Sequence, residues 1–167
     1  MPPICTAGMV ADDDAKRQRS YTQAMAVFHE RLEFETGGHV QVLDLTAEVG
    51  AWLSSIDADE GQLTVFVPGS TAAVTTIEFE PGAVRDLGEA LEVIAPSDGT
   101  YHHDLRWGDG NGFSHLRAAL LGPSLSIPVI AGSPTLGTWQ QVVLVECDLA
   151  ARTRRLVFSF VGTTEVG

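Results

Sequence analysis

Lysine is nearly missing from this chain: Lys16 is the only one among 167 residues. Residues 22–167 therefore offer no lysine for Schiff-base chemistry. With ten basic residues against 22 acidic ones, the net charge is −12. Such a surface repels phosphate backbones, so a nucleic-acid partner is not expected. Cysteine is scarce too. Cys5 and Cys147 stand too far apart to form a zinc pattern by themselves, and a disulfide framework is excluded. No apolar run approaches the roughly 20 residues of a membrane span, so no membrane partner is expected. The opening MPPICTAGMVADDD has no basic stretch followed by an apolar one, as a secretory leader would. Together these features predict a cytoplasmic protein. The sequence contains no dinucleotide glycine fingerprint, phosphate-binding Walker loop, HExxH, serine elbow or Cys/His dyad at a recognisable spacing.

The composition, 44% hydrophobic and 19% charged, is that of one globular domain able to bury a core without staples. Residues 1–21, with Pro2, Pro3 and three consecutive aspartates, are expected to be a poorly ordered extension of a domain over 22–167. Alternation of Leu32 and Phe34 with charged neighbours predicts a half-buried strand over 27–35. Gly37-Gly38 then turns the chain into a second strand over 40–43. Val49, Trp52, Leu53 and Ile56 recur at helical spacing after a cap at Asp44 or Thr46.

A polar turn at 57–61 leads to a buried strand over 63–67, broken by Pro68-Gly69. A further strand is expected over 72–80. Pro81 opens a helix with a Val84, Leu87, Leu91 and Ile94 stripe, closed by Pro96. A polar loop, a short helix over 114–121 and strands over 125–130, 139–146 and 154–161 complete the chain. Strands cluster instead of alternating with helices, which predicts an α+β fold: a single compact domain with a largely antiparallel β-sheet and packed helices.

The segment 101–115 holds the densest polar chemistry. His103 and His115 flank a loop carrying Asp104, Asp109 and Asn111 among alternating glycines. Two imidazoles favour zinc or a similar ion once a third ligand joins them, with Asp104, Asp109 and Glu78 as carboxylate candidates. The competing reading caps the helix with one histidine and leaves the other in solvent. In PGST at 68–71, Ser70, Thr71 and the backbone N–H groups of a turn can receive an anion. Glu78 and Glu80 follow on the next strand, where an exposed polar face is the alternative. Arg117, in the helix that carries His115, is the anion contact expected from its location. The cluster Arg152, Arg154 and Arg155 reads as an exposed hairpin or a phosphate holder. Trp139 in LGTWQ can pack flat with its indole N–H on an acceptor, most commonly in a core.

An ordered series of segments carries a family resemblance: DLTAEV at 44–49, PGSTAAVTTIE at 68–78, YHHD at 101–104, GDGNGFSHLRAALLGPSLSIPV at 108–129, LGTWQQVVLVECD at 136–148 and RRLVFSFVG at 154–162. From about residue 22 onward the chain resembles the YjbQ-like family. The resemblance implies a compact α+β fold, a homotrimer, and a secondary thiamine-phosphate synthase activity joining a pyrimidine pyrophosphate to a thiazole phosphate. It places site residues at Glu78, His103, Asp104, Asp109, Asn111 and His115. Many members carry histidine where this chain has Gly69, so a three-histidine metal site would lack one ligand here.

Three functional readings follow. The first is an enzyme-like site at a subunit boundary, with His103 and His115 as ligands of a divalent metal (zinc or magnesium). In it Glu78, Asp104 and His115 are catalytic, and Ser70, Thr71, Asp109, Asn111 and Arg117 bind a small anionic metabolite. The second is a non-catalytic module for a metal or small anion. The third is a structural trimer whose polar loop orders the interface.

Overall fold

The computed structural model describes residues 24–165, so the expected extension over 1–21, including Cys5, lies outside the described residues. The elements follow in the order β1 (Ala26–Thr36), β2 (Gln41–Asp44), α1 (Thr46–Ser55), β3 (Ala58–Phe66), β4 (Ala72–Ile77) and α2 (Pro81–Ile94). After these come α3 (His102–Trp107), α4 (Gly112–Leu121), β5 (Ser124–Ile130), β6 (Ser133–Pro134), β7 (Gln141–Glu146) and β8 (Arg152–Thr164). The strands form a five-stranded sheet in the order β1-β8-β3-β5-β6 and a three-stranded sheet in the order β2-β7-β4. Every pairing is antiparallel. The α+β architecture expected from the clustering of strands is the one observed.

The small sheet is the middle layer, and β7 shows why. Val142 and Leu144 join the core shared with β3, β5, β8 and α1, around Leu63, Ile127, Phe158 and Trp52. Val143 and Val145 face the other way and pack with Leu91 of α2 and Ala118 of α4. A strand covered on both faces needs apolar residues at every position, which explains the unbroken VVLV run. Trp52 meets Phe158 edge-on at 5.7 Å between ring centroids, tying α1 to the large sheet.

Four boundaries differ from the sequence expectation. Residues 58–61 belong to β3 instead of a turn, because Ala58 and Gly61 pair with the distant β8 across a bulge. β4 stops at Ile77, and Glu80 becomes the N-cap of α2, accepting from Gly82 N–H at 2.8 Å and from Ala83 N–H. Those bonds hold the Glu80 carboxyl below its usual range. β7 begins at Gln141, leaving Trp139 72% exposed before the strand and not in a core. The segment expected to be a loop contains α3.

Candidate functional site

α3 is short and has no apolar stripe to announce it. Its first turn forms because the Tyr101 carbonyl accepts from the N–H groups of Asp104 and Leu105. Gly108 closes it in the left-handed region at φ 68°. Leu105 and Trp107 stay exposed. The chain returns through Asp109 and Asn111 and enters α4 at Gly112. A side chain at Gly112 would overlap Tyr101, so glycine is what lets α4 start against that ring. Asp104 pins the junction by accepting the Gly112 N–H at 2.8 Å.

This doubling back places three ligand types together. His103 Nδ1 lies 3.3 Å from an Asp109 oxygen and 3.5 Å from an Asp104 oxygen. Donor atoms of His103, Asp104 and Asp109 all lie within 4.8 Å of one another. Neither carboxylate is aligned as a hydrogen-bond acceptor, so the buried His103 Nδ1 lacks a bonded partner, as does Asn111 Oδ1 nearby in the chain. Ser114 Oγ, at the start of α4, is a third such atom, and buried polar atoms in native folds are satisfied by protein, water or an ion. Two ligands bound tetrahedrally to zinc at about 2.0–2.1 Å stand about 3.3 Å apart, which is close to these spacings. The mixed nitrogen and oxygen set suits zinc better than magnesium, which favours oxygen alone.

His115 stands beside this cluster: its ring centroid is 4.4 Å from that of His103, with the planes tilted at 46°. Its Nδ1 lies 3.1 Å from the Ser70 carbonyl oxygen, which fixes the ring and leaves the Nε2 edge for other partners. Beyond it, Gly69, Ser70, Ala72, His115, Ala118 and Pro123 line a cavity of about 320 Å³. The turn after β3 and the start of α4 thus meet at one end of β4. Two expected binding residues, Ser70 and Thr71, sit at that end. Ser70 is exposed, whereas Thr71 is buried and donates to Asp148 Oδ2 at 3.0 Å.

Behind the turn lies a buried ionic network, where the sequence reading offered an exposed arginine hairpin or a phosphate holder. Arg154 is 9% exposed and Glu146 fully buried. Arg154 Nε donates to Glu146 Oε2 at 2.6 Å, while Nη2 reaches Glu146 Oε1 and the Thr71 hydroxyl. Glu146 also accepts from the Thr36 hydroxyl and the Asp148 N–H. Burial alone would push the Asp148 carboxyl up, but bonds from the Ala150 N–H, Thr71 and Arg152 outweigh it and lower it. Alternation along β8 could have revealed Arg154, because it shares a face with Leu156, Phe158 and Phe160. Arg155, on the opposite face, is exposed and pairs with Glu33.

Two expected site residues lie elsewhere. Arg117 is 1% exposed, and its guanidinium donates to the Ala95 carbonyl at 2.9 and 2.6 Å and to Glu92. It ties α4 to the end of α2, and Phe113 covers its face at 4.6 Å. These bonds occupy Nε and Nη2 of Arg117 with Ala95 and Glu92. Glu78 is exposed just past the far end of β4. Six strand residues separate it from Thr71, roughly 20 Å at the usual rise, so Glu78 does not join the histidine pair within one chain.

A YjbQ-like UPF0047 protein model matches residues 30–163. A UPF0047 protein of Methanothermobacter thermautotrophicus is 39% identical over 138 residues, covering 83% of this chain and 94% of the relative. One from Mycobacterium tuberculosis is 39% identical over 121 residues, 72% of this chain and 89% of that protein. Among solved structures, a YbjQ-like protein of Sulfolobus solfataricus superposes with a TM-score of 0.79 at 28% identity, covering 83% of this chain and 99% of the other. A hypothetical protein of Aeropyrum pernix gives 0.72 at 36% identity, covering 80% and 98%. The match spans both sheets and the His103–His115 pocket, and the chain belongs to the UPF0047 (YjbQ-like) family.

Proposed function

We propose that the pocket at His103, Asp104, Asp109 and His115 is an enzyme-like site that takes a small anionic metabolite, with a divalent metal at His103. The orphaned, buried His103 Nδ1 facing two carboxylates carries this reading. His103, Asp104 and Asp109 would hold the ion, zinc being the better fit, and its charge would favour departure of an anionic group. His115, oriented by the Ser70 carbonyl, is the acid–base group of the pocket.

The reaction assigned is a secondary thiamine-phosphate synthesis. The thiazole nitrogen attacks the pyrimidine methylene carbon, a C–N bond forms, the C–O bond to pyrophosphate breaks, and pyrophosphate leaves. A homotrimer belongs to this reading, because Glu78 reaches a histidine pair only if a neighbouring copy presents it. The charge balance limits the rate. Arg117 is matched by Glu92 and Arg154 by Glu146, so little free positive charge faces a pyrophosphate. The same observation favours a second reading, a binding module without turnover.

Metal content and turnover of purified protein separate these readings. Near-stoichiometric zinc, lost in Asp109→Asn, with thiamine phosphate formed by wild type but not by His103→Ala or His115→Ala, supports the enzyme. Saturable ligand binding without product supports the module. Unchanged product formation in both histidine variants removes the assignment of this pocket. Sedimentation reads the trimer directly, and a monomer at micromolar concentration removes Glu78 from the site.

A further inference from the structure

The guanidinium of Arg154 has five N–H donors, and the network behind the turn uses only one of its two edges. Nε and Nη2 are occupied by Glu146 and Thr71. Among the described residues Nη1 has no hydrogen-bond partner, and it is not one of the enclosed orphan atoms, so this edge reaches the surface from a side chain otherwise nine-tenths buried. The carboxylates do not need it: Glu146 takes bonds from Thr36, Asp148 N–H and Arg154, and Asp148 from Thr71, Ala150 N–H and Arg152. The two spare N–H bonds are therefore open donors that water or the oxygen of a ligand can take.

The spare edge faces Gly69. A Cβ built on Gly69 would lie 3.5 Å from Arg154 Nη1 and within 4 Å of no other group counted outside its chain neighbours. The glycine's φ of 128° lies where side chains are strongly disfavoured, so this backbone keeps the notch open. The turn adds donors of its own. Among the described residues the N–H groups of Gly69 and Ser70 make no hydrogen bond. His115 is tied to the same turn through the Ser70 carbonyl.

We propose that the notch at Gly69 seats a small oxyanion of the phosphate-monoester class, held by Arg154 Nη1 and the N–H groups of Gly69 and Ser70. This rests on reading the adjoining cavity as a pocket for a small anionic metabolite. It makes Arg154, rather than Arg117, the arginine that contacts that ligand. Arginine suits the task because one edge can bind Glu146 while the other binds the anion. The seat adjoins His115, so a phosphate held there presents its attached group to the histidine pair.

The test titrates inorganic phosphate into the full-length ¹⁵N-labelled protein and follows the backbone amides of Gly69 and Ser70. Saturable shifts of both are expected. Arg154→Lys keeps a charge beside Glu146 but removes the free edge, and should weaken binding about tenfold, the value of one charge-assisted hydrogen bond. Arg155→Lys, on the exposed face, should leave the affinity unchanged. Equal affinity in a folded Arg154→Lys protein, or no saturable shift at Gly69 and Ser70 in wild type, overturns the proposal. If Arg154→Lys does not fold, the wild-type titration decides. Zinc content at His103 is a separate measurement: zinc without phosphate binding removes the seat alone, and phosphate binding without zinc removes the metal alone.

Discussion

His103 and His115 have eleven residues between them in sequence, yet their rings lie 4.4 Å apart. The link is Asp104, whose carboxylate accepts the Gly112 N–H and so closes the loop between α3 and α4. One side chain therefore both shapes the pocket and faces His103, and its charge and its acceptor role can be separated.

Asp104→Asn keeps an oxygen for the Gly112 N–H but loses the negative charge. It should fold with a melting temperature close to wild type and lose metal uptake, read by metal analysis of purified protein. Asp104→Ala removes the acceptor as well and should cost about 1–2 kcal/mol of stability in urea unfolding. If Asp104→Asn retains full metal content, its carboxylate is not a ligand.

Glu146 is fully buried and paired with Arg154 inside the fold. Glu146→Gln leaves the guanidinium with only the Asp148 carboxylate, 3.8 Å away and already paired with Arg152, and should destabilise by about 3 kcal/mol. Arg154→Met combined with Glu146→Gln should recover part of that loss, because the stranded charge is removed. Urea denaturation of the two single variants and the double variant measures the coupling; additive losses would show that the pair is not a unit.

Sequence and structure agree where local pattern and tertiary demand coincide. The α2 stripe and the VVLV run of β7 show their burial directly, and the family segments contain both histidines whose rings the fold brings together. α3 escapes notice because its six residues expose Leu105 and Trp107 and therefore show no helical periodicity. Residues 58–61 read as a turn because their pairing partners lie about a hundred positions away in β8. Arg117 and Arg154 illustrate the harder case. Composition assigns arginine to surfaces and anions, and only the fold shows that Ala95 and Glu92 take Nε and Nη2 of Arg117 while Glu146 and Thr71 take Nε and Nη2 of Arg154.

Burial pushes the Cys147 thiol up to about 12, with the neighbouring Glu146 charge acting the same way. At neutral pH it is a protonated, enclosed thiol and a poor nucleophile. In a Cys5→Ser variant, a thiol reagent at pH 8 should leave native protein unlabelled for hours and label it at once in denaturant. Rapid labelling of the native state would mean that the β7 end opens locally.

Glu92 gives the acid limb of stability a specific source. The Ser97 N–H and hydroxyl, then Arg117, hold its carboxyl down to about 2, against 4.5 for the free group. A folded-state value below the unfolded one stabilises above about pH 4.5, and that contribution is lost as pH falls toward 2. The carboxylate is about half exposed, so solvent and salt screen the effect and it should shrink at high ionic strength. Glu92→Gln should therefore melt below wild type at pH 6, with the gap shrinking progressively below pH 4.5 and closing only as pH approaches 2. A melting-temperature gap that stays constant from pH 6 to pH 2.5 would mean that Glu92 contributes through packing against Arg117 and not through its charge.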